Sequence, residues 1–271
     1  MFNYFVSKPI VRSKIRRKLG RKYYSLKRRI IWLSNKSNYA TTIVQDQLPY
    51  IIREHKSLLL RPLKDVDMQL QHNKITNLRL AIQHINGLII EPGEIFSLWF
   101  LVGKPTKKKG YLEGLVLNQG KIESDIGGGL CQLGNLLFWM ILHSPLTITE
   151  RYRHGFDVFP DVNRKVPFGA GATLAYNYID FQVKNNTKEK YQIELFLDKE
   201  YLNGKVRSEQ TSNERFEVYE SDHRIVHQSW GGYTRHNKIC RKRFDEKDKL
   251  ISDETLLENH AIMMYEPLLE S

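Results

Sequence analysis

Marked as apolar and polar positions, the chain changes its period near the middle. Val11, Ile15, Leu19, Tyr23, Leu26, Ile30 and Leu33 recur at steps of three and four, which predicts an amphipathic helix over residues 11–33. A second helix is expected at 73–85, with Ile75, Leu78, Ile82 and Ile85 on one face, Asn73 as its N-cap and Asn86-Gly87 as its stop. A third runs from Leu130 to His143, apolar almost all round as a buried helix must be, and Pro145 closes it. From Leu146 onward the period falls to two. Strands are expected at 146–159, 172–184, 191–197, 216–219, 224–229 and 238–244, with turns at Asn185-Asn186, Asn203-Gly204, Gly231-Gly232 and Asp245 to Asp248.

The stretches between are less periodic. Residues 39–60 read as helical or mixed with an interruption at Pro49, Pro92-Gly93 marks a tight turn, and 102–111 is a loop. A hairpin over 115–124 turns at Asn118-Gln119-Gly120. A helical and mixed first half followed by strands predicts an α+β fold, with the N-terminal half packed on an antiparallel β-sheet.

Charge divides the chain further. All twelve Lys and Arg of residues 1–45 precede the first acidic residue, Asp46, and the remainder holds 30 basic against 30 acidic residues. The net charge of +12 therefore belongs to a basic amphipathic arm, 1–45, attached to a neutral domain, 46–271, with core motifs at about 88–200 and a β-rich part at 201–271. Such an arm suits peripheral contact with an anionic membrane through residues 1–36, or simple packing on the domain. No nucleic-acid-binding motif accompanies it, which argues against a nucleic-acid partner. The N-terminus lacks the apolar run and small-residue cleavage site of a secretory signal, and there are two cysteines, so a cytoplasmic location with reduced thiols is expected.

Candidate chemistry centres on Asp125-Ile-Gly-Gly-Gly-Leu-Cys-Gln132. Three glycines permit positive φ and would deliver Cys131 into the first turn of a helix, where free N–H groups favour a thiolate. Alternation along 148–158 puts His154 on the inward face with Ile148, Tyr152 and Phe156, and the next expected strand carries Asp180. If the two strands are antiparallel neighbours, Cys131, His154 and Asp180 supply nucleophile, base and orienting carboxylate, in the chain order of papain-like and transglutaminase-like enzymes. The alternative is a small buried thiol, a satisfied core histidine and a strand-end carboxylate. Nine histidines show no zinc-ligand spacing, and no phosphate loop or dinucleotide fingerprint is present, so neither metal nor cofactor is expected.

Several of these motifs together resemble the VanW family. They are Gly93-Glu-Ile-Phe-Ser97, Val102-Gly103, Gly110-Tyr111, Gly127-Gly-Gly-Leu-Cys-Gln132, Thr149-Glu-Arg151 with His154, Gly169 to Thr173, and Tyr178-Ile-Asp-Phe-Gln-Val-Lys-Asn185. The resemblance continues through Trp230-Gly-Gly-Tyr233 and Asn259-His-Ala-Ile-Met-Met-Tyr265 and covers the chain from about Tyr50. Two positions depart from the family pattern: a Ser-Thr pair is Gly134-Asn135 here, and an Asp before Ala172 is Gly171. The resemblance implies a link to glycopeptide resistance and a peptidoglycan precursor or other anionic wall component as partner, without implying a reaction. Gly127, Gly128, Gly129, Gln132, Glu150 and Arg151 join the candidates as ligand contacts. The function expected is a cysteine-type hydrolase or transpeptidase on wall precursors or, alternatively, a non-catalytic module that binds one.

Overall fold

A computed structural model of the chain describes residues 12–60, 67–118, 120–158 and 166–267. Val11 of the apolar stripe, Gln119 of the hairpin turn and Phe159 of the expected strand lie outside them. The first helix, α1 (Lys14–Ser34), opens where the Ser13 side chain accepts from the Arg16 N–H. There follow β1 (Tyr50–Leu58), α2 (Met68–Ile82), β2 (Leu88–Ile90), β3 (Ile95–Ser97) and the short α3 (Leu98–Val102). The hairpin β4 (Glu113–Asn118) and β5 (Lys121–Ile126) leads into α4 (Cys131–Leu142), then β6 (Thr147–Glu150) and β7 (Phe156–Asp157). The last part is β8 (Gln182–Lys184), β9 (Tyr191–Leu197), β10 (Tyr201–Ser208) and three long strands, β11 (Arg215–His227), β12 (Tyr233–Phe244) and β13 (Leu250–Met263).

These strands form sheets ordered β1-β10-β9-β2, β11-β12-β13-β7, β3-β8-β6 and β4-β5. All pairings are antiparallel except β13 with β7. The expected α+β class therefore holds, as several small sheets rather than one. The core lies around α4, whose Leu133, Leu136, Leu137, Phe138 and Met140 are buried against Phe181, Ile193, Leu202 and Val206.

Four expectations from the sequence need correction. Residues 50–58 form β1, paired along its length with β10, so the 39–60 stretch is not helical. Asn203-Gly204 is not a turn but the middle of β10, because a side chain at Gly204 would meet Leu136 and Met140 of α4. The turn is made instead by Asp198, whose carboxylate accepts from the N–H groups of Glu200 and Tyr201. α2 begins at Met68, capped by the Asp67 side chain, and Asn73 is left to donate its amide to the Glu113 carbonyl.

The fourth correction bears on the site. The strand expected at 146–159 ends at Glu150, and that expected at 172–184 is reduced to Gln182–Lys184. Between Glu150 and Phe156 the backbone bonds to the 169–173 segment: Thr173 N donates to the Tyr152 carbonyl and His154 N to Thr173 Oγ1. In the facing segment Asn177 takes a left-handed conformation (φ +58°) and turns the chain back before β8 begins.

Candidate functional site

The glycine turn does deliver Cys131 to the first residue of α4. Gly127 and Gly129 adopt φ of +79° and +91°, which only glycine takes without strain. Gly128 lies so close to Gly114 of β4 that a side chain at either would collide with the other's backbone. The three N–H groups do not form an open anion nest. Gly127 donates to the Leu112 carbonyl, Gly128 to Asp125 and Gly129 to Leu115, at 2.9–3.0 Å. Asn77 of α2, fully buried, joins the same turn, donating to the Gly128 and Leu112 carbonyls at 2.9 and 3.0 Å and accepting from Leu112 N at 2.8 Å. Its role was invisible in the sequence, where Asn77 is one polar residue in a helix.

Cys131 is a free, solvent-exposed cysteine, yet enough protein crowds its sulfur for burial to push the thiol pKa up, outweighing backbone hydrogen bonds that pull it down. A nucleophile needs the opposite direction. The sulfur contacts the Leu174 carbonyl at 3.9 Å and shares no hydrogen bond with His154. Gln132, beside it, gives its amide to Ser57 Oγ and the Leu58 carbonyl, both at 2.9 Å, and so ties α4 to β1.

Asp180 lies elsewhere. β6 and β8 are antiparallel neighbours as the triad layout requires, but the register sets Glu150 against Gln182. The chain leaves the ladder before His154 is reached. Asp180 is buried and accepts from Ser97 Oγ (2.5 Å), Trp99 N (3.1 Å) and Gln182 Nε2 (3.2 Å), while its own N–H donates to Glu150 Oε1 (3.0 Å). Glu150 Oε1 also accepts from Arg28 of α1 at 2.5 Å. Burial raises the Asp180 pKa to about 6; the Ser97 hydroxyl and Trp99 N–H oppose the shift, and the Glu150 charge adds to it. Glu150 and Asp180 thus form a clamp for α1, separate from both Cys131 and His154.

Arg151 and His154 instead wall a cavity of about 300 Å³, completed by Arg153, Phe168, Glu258 and His260 among others. The Arg151 guanidinium donates to the carbonyls of Gly169 (2.5 Å) and Gly171 (2.8 Å) and the amide oxygen of Asn259 (3.4 Å), and lies 5.0 Å from the Phe138 ring centroid. Every one of these partners is neutral. Desolvation without a carboxylate pulls its pKa down to about 10, so the group stays cationic at neutral pH in a poorly solvated place. Arg153 lies 4.2 Å from the centroid of Phe168, and Arg235 lies 4.4 Å from it. His154 Nδ1 is buried, with the Phe156 backbone as its hydrogen-bonding neighbour at poor geometry. Burial, followed by the neighbouring Arg153 charge, lowers the His154 pKa. Such a wall can recognise an anionic group: two guanidinium groups and an imidazole stand together, and among the described residues Glu258 is the only acidic one in the lining.

Gly134-Asn135 and Gly171, far apart in sequence, meet in space. Asn135 Oδ1 accepts from Ala172 N at 2.8 Å and sits where a side chain on Gly171 would begin, 2.5 Å from its Cβ position. Gly134 packs against the same segment, at Ala172 and Leu174.

Comparison with known proteins accords with the motifs. A family model described as "VanW like protein" matches residues 73–207. The chain is 37% identical over 233 residues to the vancomycin B-type resistance protein VanW of Enterococcus faecalis, covering 86% of this chain and 84% of that protein. It is 31% identical over 112 residues to the uncharacterized protein YoaR of Bacillus subtilis, covering 40% of this chain and 34% of that protein. No solved structure matches significantly. The length and identity of the first of these alignments, with the profile match inside it, establish that the chain belongs to the VanW family.

Proposed function

We propose that this protein is a non-catalytic accessory factor of glycopeptide resistance that binds an anionic cell-wall precursor in the Arg151–His154 cavity. The resistance setting comes from the Enterococcus faecalis relative, whose name assigns it to vancomycin B-type resistance. The observation that carries the binding assignment is the half-buried Arg151 guanidinium, which has only neutral partners and lines a cavity with Arg153 and His154. Peptidoglycan precursors present carboxylates and phosphates, the groups that planar guanidinium side chains hold best. Binding is favoured over cysteine hydrolysis or transpeptidation by three features: a thiol pKa pushed up, a sulfur that shares no hydrogen bond with an imidazole, and an Asp180 carboxylate engaged by Ser97 and Trp99.

The test is calorimetric titration of the full chain with a nucleotide-linked muramyl peptide, followed by recovery and analysis of the ligand. Saturable binding is expected, weakened at least about tenfold by Arg153→Gln and by His154→Gln, the loss of one charge-assisted hydrogen bond. Cys131→Ala should leave affinity and ligand intact. Absence of binding defeats the proposal. Cleavage of the peptide that disappears in Cys131→Ala restores the hydrolase in its place.

A further inference from the structure

The apolar stripe of α1 does not face the domain. Ile15, Leu19, Tyr23, Leu26, Ile30 and Leu33 are 58–79% exposed, although a globular fold ordinarily buries the apolar side of an amphipathic helix. The helix is docked by its other side. Arg28 binds Glu150, the Asn177 amide donates to the Ser25 carbonyl at 3.0 Å, Tyr24 meets Tyr178 with ring centroids 5.6 Å apart, and Trp32 meets the Phe100 edge at 5.7 Å. At 100° per residue the six apolar side chains fall within roughly 80° of arc, and Tyr24 and Arg28 point to the opposite side. Lys18, Lys22 and Arg29 border the stripe along one edge and Arg16 and Lys27 along the other, all exposed.

We infer that α1 is a membrane-surface helix: its outward stripe enters the headgroup boundary of an anionic bilayer, while the Arg28–Glu150 clamp holds the domain beneath it. Charge complementarity selects this occupant. A stripe between two basic edges, in a 45-residue segment without one acidic residue, matches a surface of anionic headgroups over an apolar interior. The helix lies on the bilayer and does not cross it, since no helix among the described residues is long and apolar enough to span. The occupant does not depend on what the Arg151 cavity holds.

Flotation of the full chain with vesicles tests this. Vesicles of phosphatidylglycerol and phosphatidylcholine should carry the protein, and pure phosphatidylcholine vesicles should carry about tenfold less or lower. Leu19→Glu with Leu26→Glu, both exposed positions that leave the clamp untouched, should abolish binding while the circular dichroism spectrum is unchanged. Lys22→Gln and Arg29→Gln should each weaken it about fivefold at low salt. No association with anionic vesicles overturns the inference, as does equal binding to neutral ones. A dimer that forms without vesicles and is lost in the double variant assigns the stripe to a second copy and overturns it too.

Discussion

In the turn at Gly127–Gly129, every glycine N–H is already donated to a carbonyl and a buried asparagine takes one of the carbonyls left over. The segment at Arg151–His154 is the reverse. It holds a half-buried cation with neutral partners, a second cation beside it and an imidazole nitrogen with only a poorly aligned backbone neighbour, all lining a cavity. Both stretches carry motif residues of the same family, yet the physical demand behind them differs. Glycines crowd into a sequence where backbones must touch, and the turn that does so here is self-satisfied. A guanidinium placed among carbonyls and a ring with no carboxylate partner, as Arg151 is, is a less stable arrangement that a ligand can complete.

The comparison breaks most sharply on a pair of substitutions. Gly128→Ala sets a methyl group against the Gly114 backbone, where neither partner can rotate away. It should cost more than about 4 kcal/mol of stability or prevent folding. Arg153→Gln, at a partly exposed position, should leave the protein folded and weaken ligand binding at least about tenfold. If Gly128→Ala folds normally and loses binding, the glycine turn is the site and the division proposed here fails.

The clamp gives the next largest effect, through pH. Asp180 titrates near 6 in the folded state and near 3.8 when unfolded, so the folded protein holds a proton that the unfolded chain releases between those values. The contribution of this group to stability is therefore greatest below pH 4 and declines as pH rises through 6, by about 3 kcal/mol at most. Asp180→Asn removes that decline while keeping one of the two acceptor oxygens, which take Ser97 and Trp99 separately, so a loss that does not vary with pH is expected beside it. The stability of Asp180→Asn relative to the parent should rise between pH 4 and pH 7 in urea titrations. A difference independent of pH would mean that Asp180 is ionised throughout.

His154 offers a smaller change on the binding side. Its pKa is lowered by burial, and an anion bound beside it would raise it. Affinity for the precursor should then increase several-fold as pH falls from 8 toward 6, and His154→Gln should flatten that profile. An affinity that is flat with pH in the parent protein would place the ligand away from His154.

How much of this was legible depends on what each residue answers to. The end of α2 and β9 announce themselves because their apolar positions meet the core, α4 because it is buried nearly all round, and the β4–β5 hairpin through its turn residues. β13 does not: most of its side chains are partly or fully exposed on both faces, so its sequence lacks the alternation that burial imposes. β10 was hidden by Gly204, a residue chosen for the helix lying across it. The position of Cys131 at a helix start was legible from local spacing. Its raised pKa was not, since the Leu174 segment that crowds the sulfur arrives from 43 residues away. The Asp180–His154 pairing failed for a related reason. Strand direction follows from pattern, but the residue at which a chain leaves its ladder is set by partners such as Thr173 that no local pattern reveals.

The smallest expected effect tests whether the two departures from the family pattern are one feature. Asn135 Oδ1 occupies the space beside Gly171 and accepts from Ala172 N, so an aspartate at 171 would collide with it or displace it. Gly171→Asp alone should destabilise the protein by about 2 kcal/mol, since Asn135 must give up its bond to make room. Asn135→Thr alone removes that bond and should cost about 1 kcal/mol. Combined, they restore the family's Thr and Asp, and the new carboxylate can take over the Ala172 N–H that Asn135 had held. The double variant should therefore recover about 1 kcal/mol relative to the sum of the single changes, a coupling energy within reach of a double-mutant cycle in urea. Strict additivity would show that the two positions changed independently and that their contact is incidental. Because Ala172 and Thr173 lead directly to Tyr152 and His154, the coupled outcome would also let this pair tune the cavity wall, with a shift in precursor affinity in the double variant as its signature.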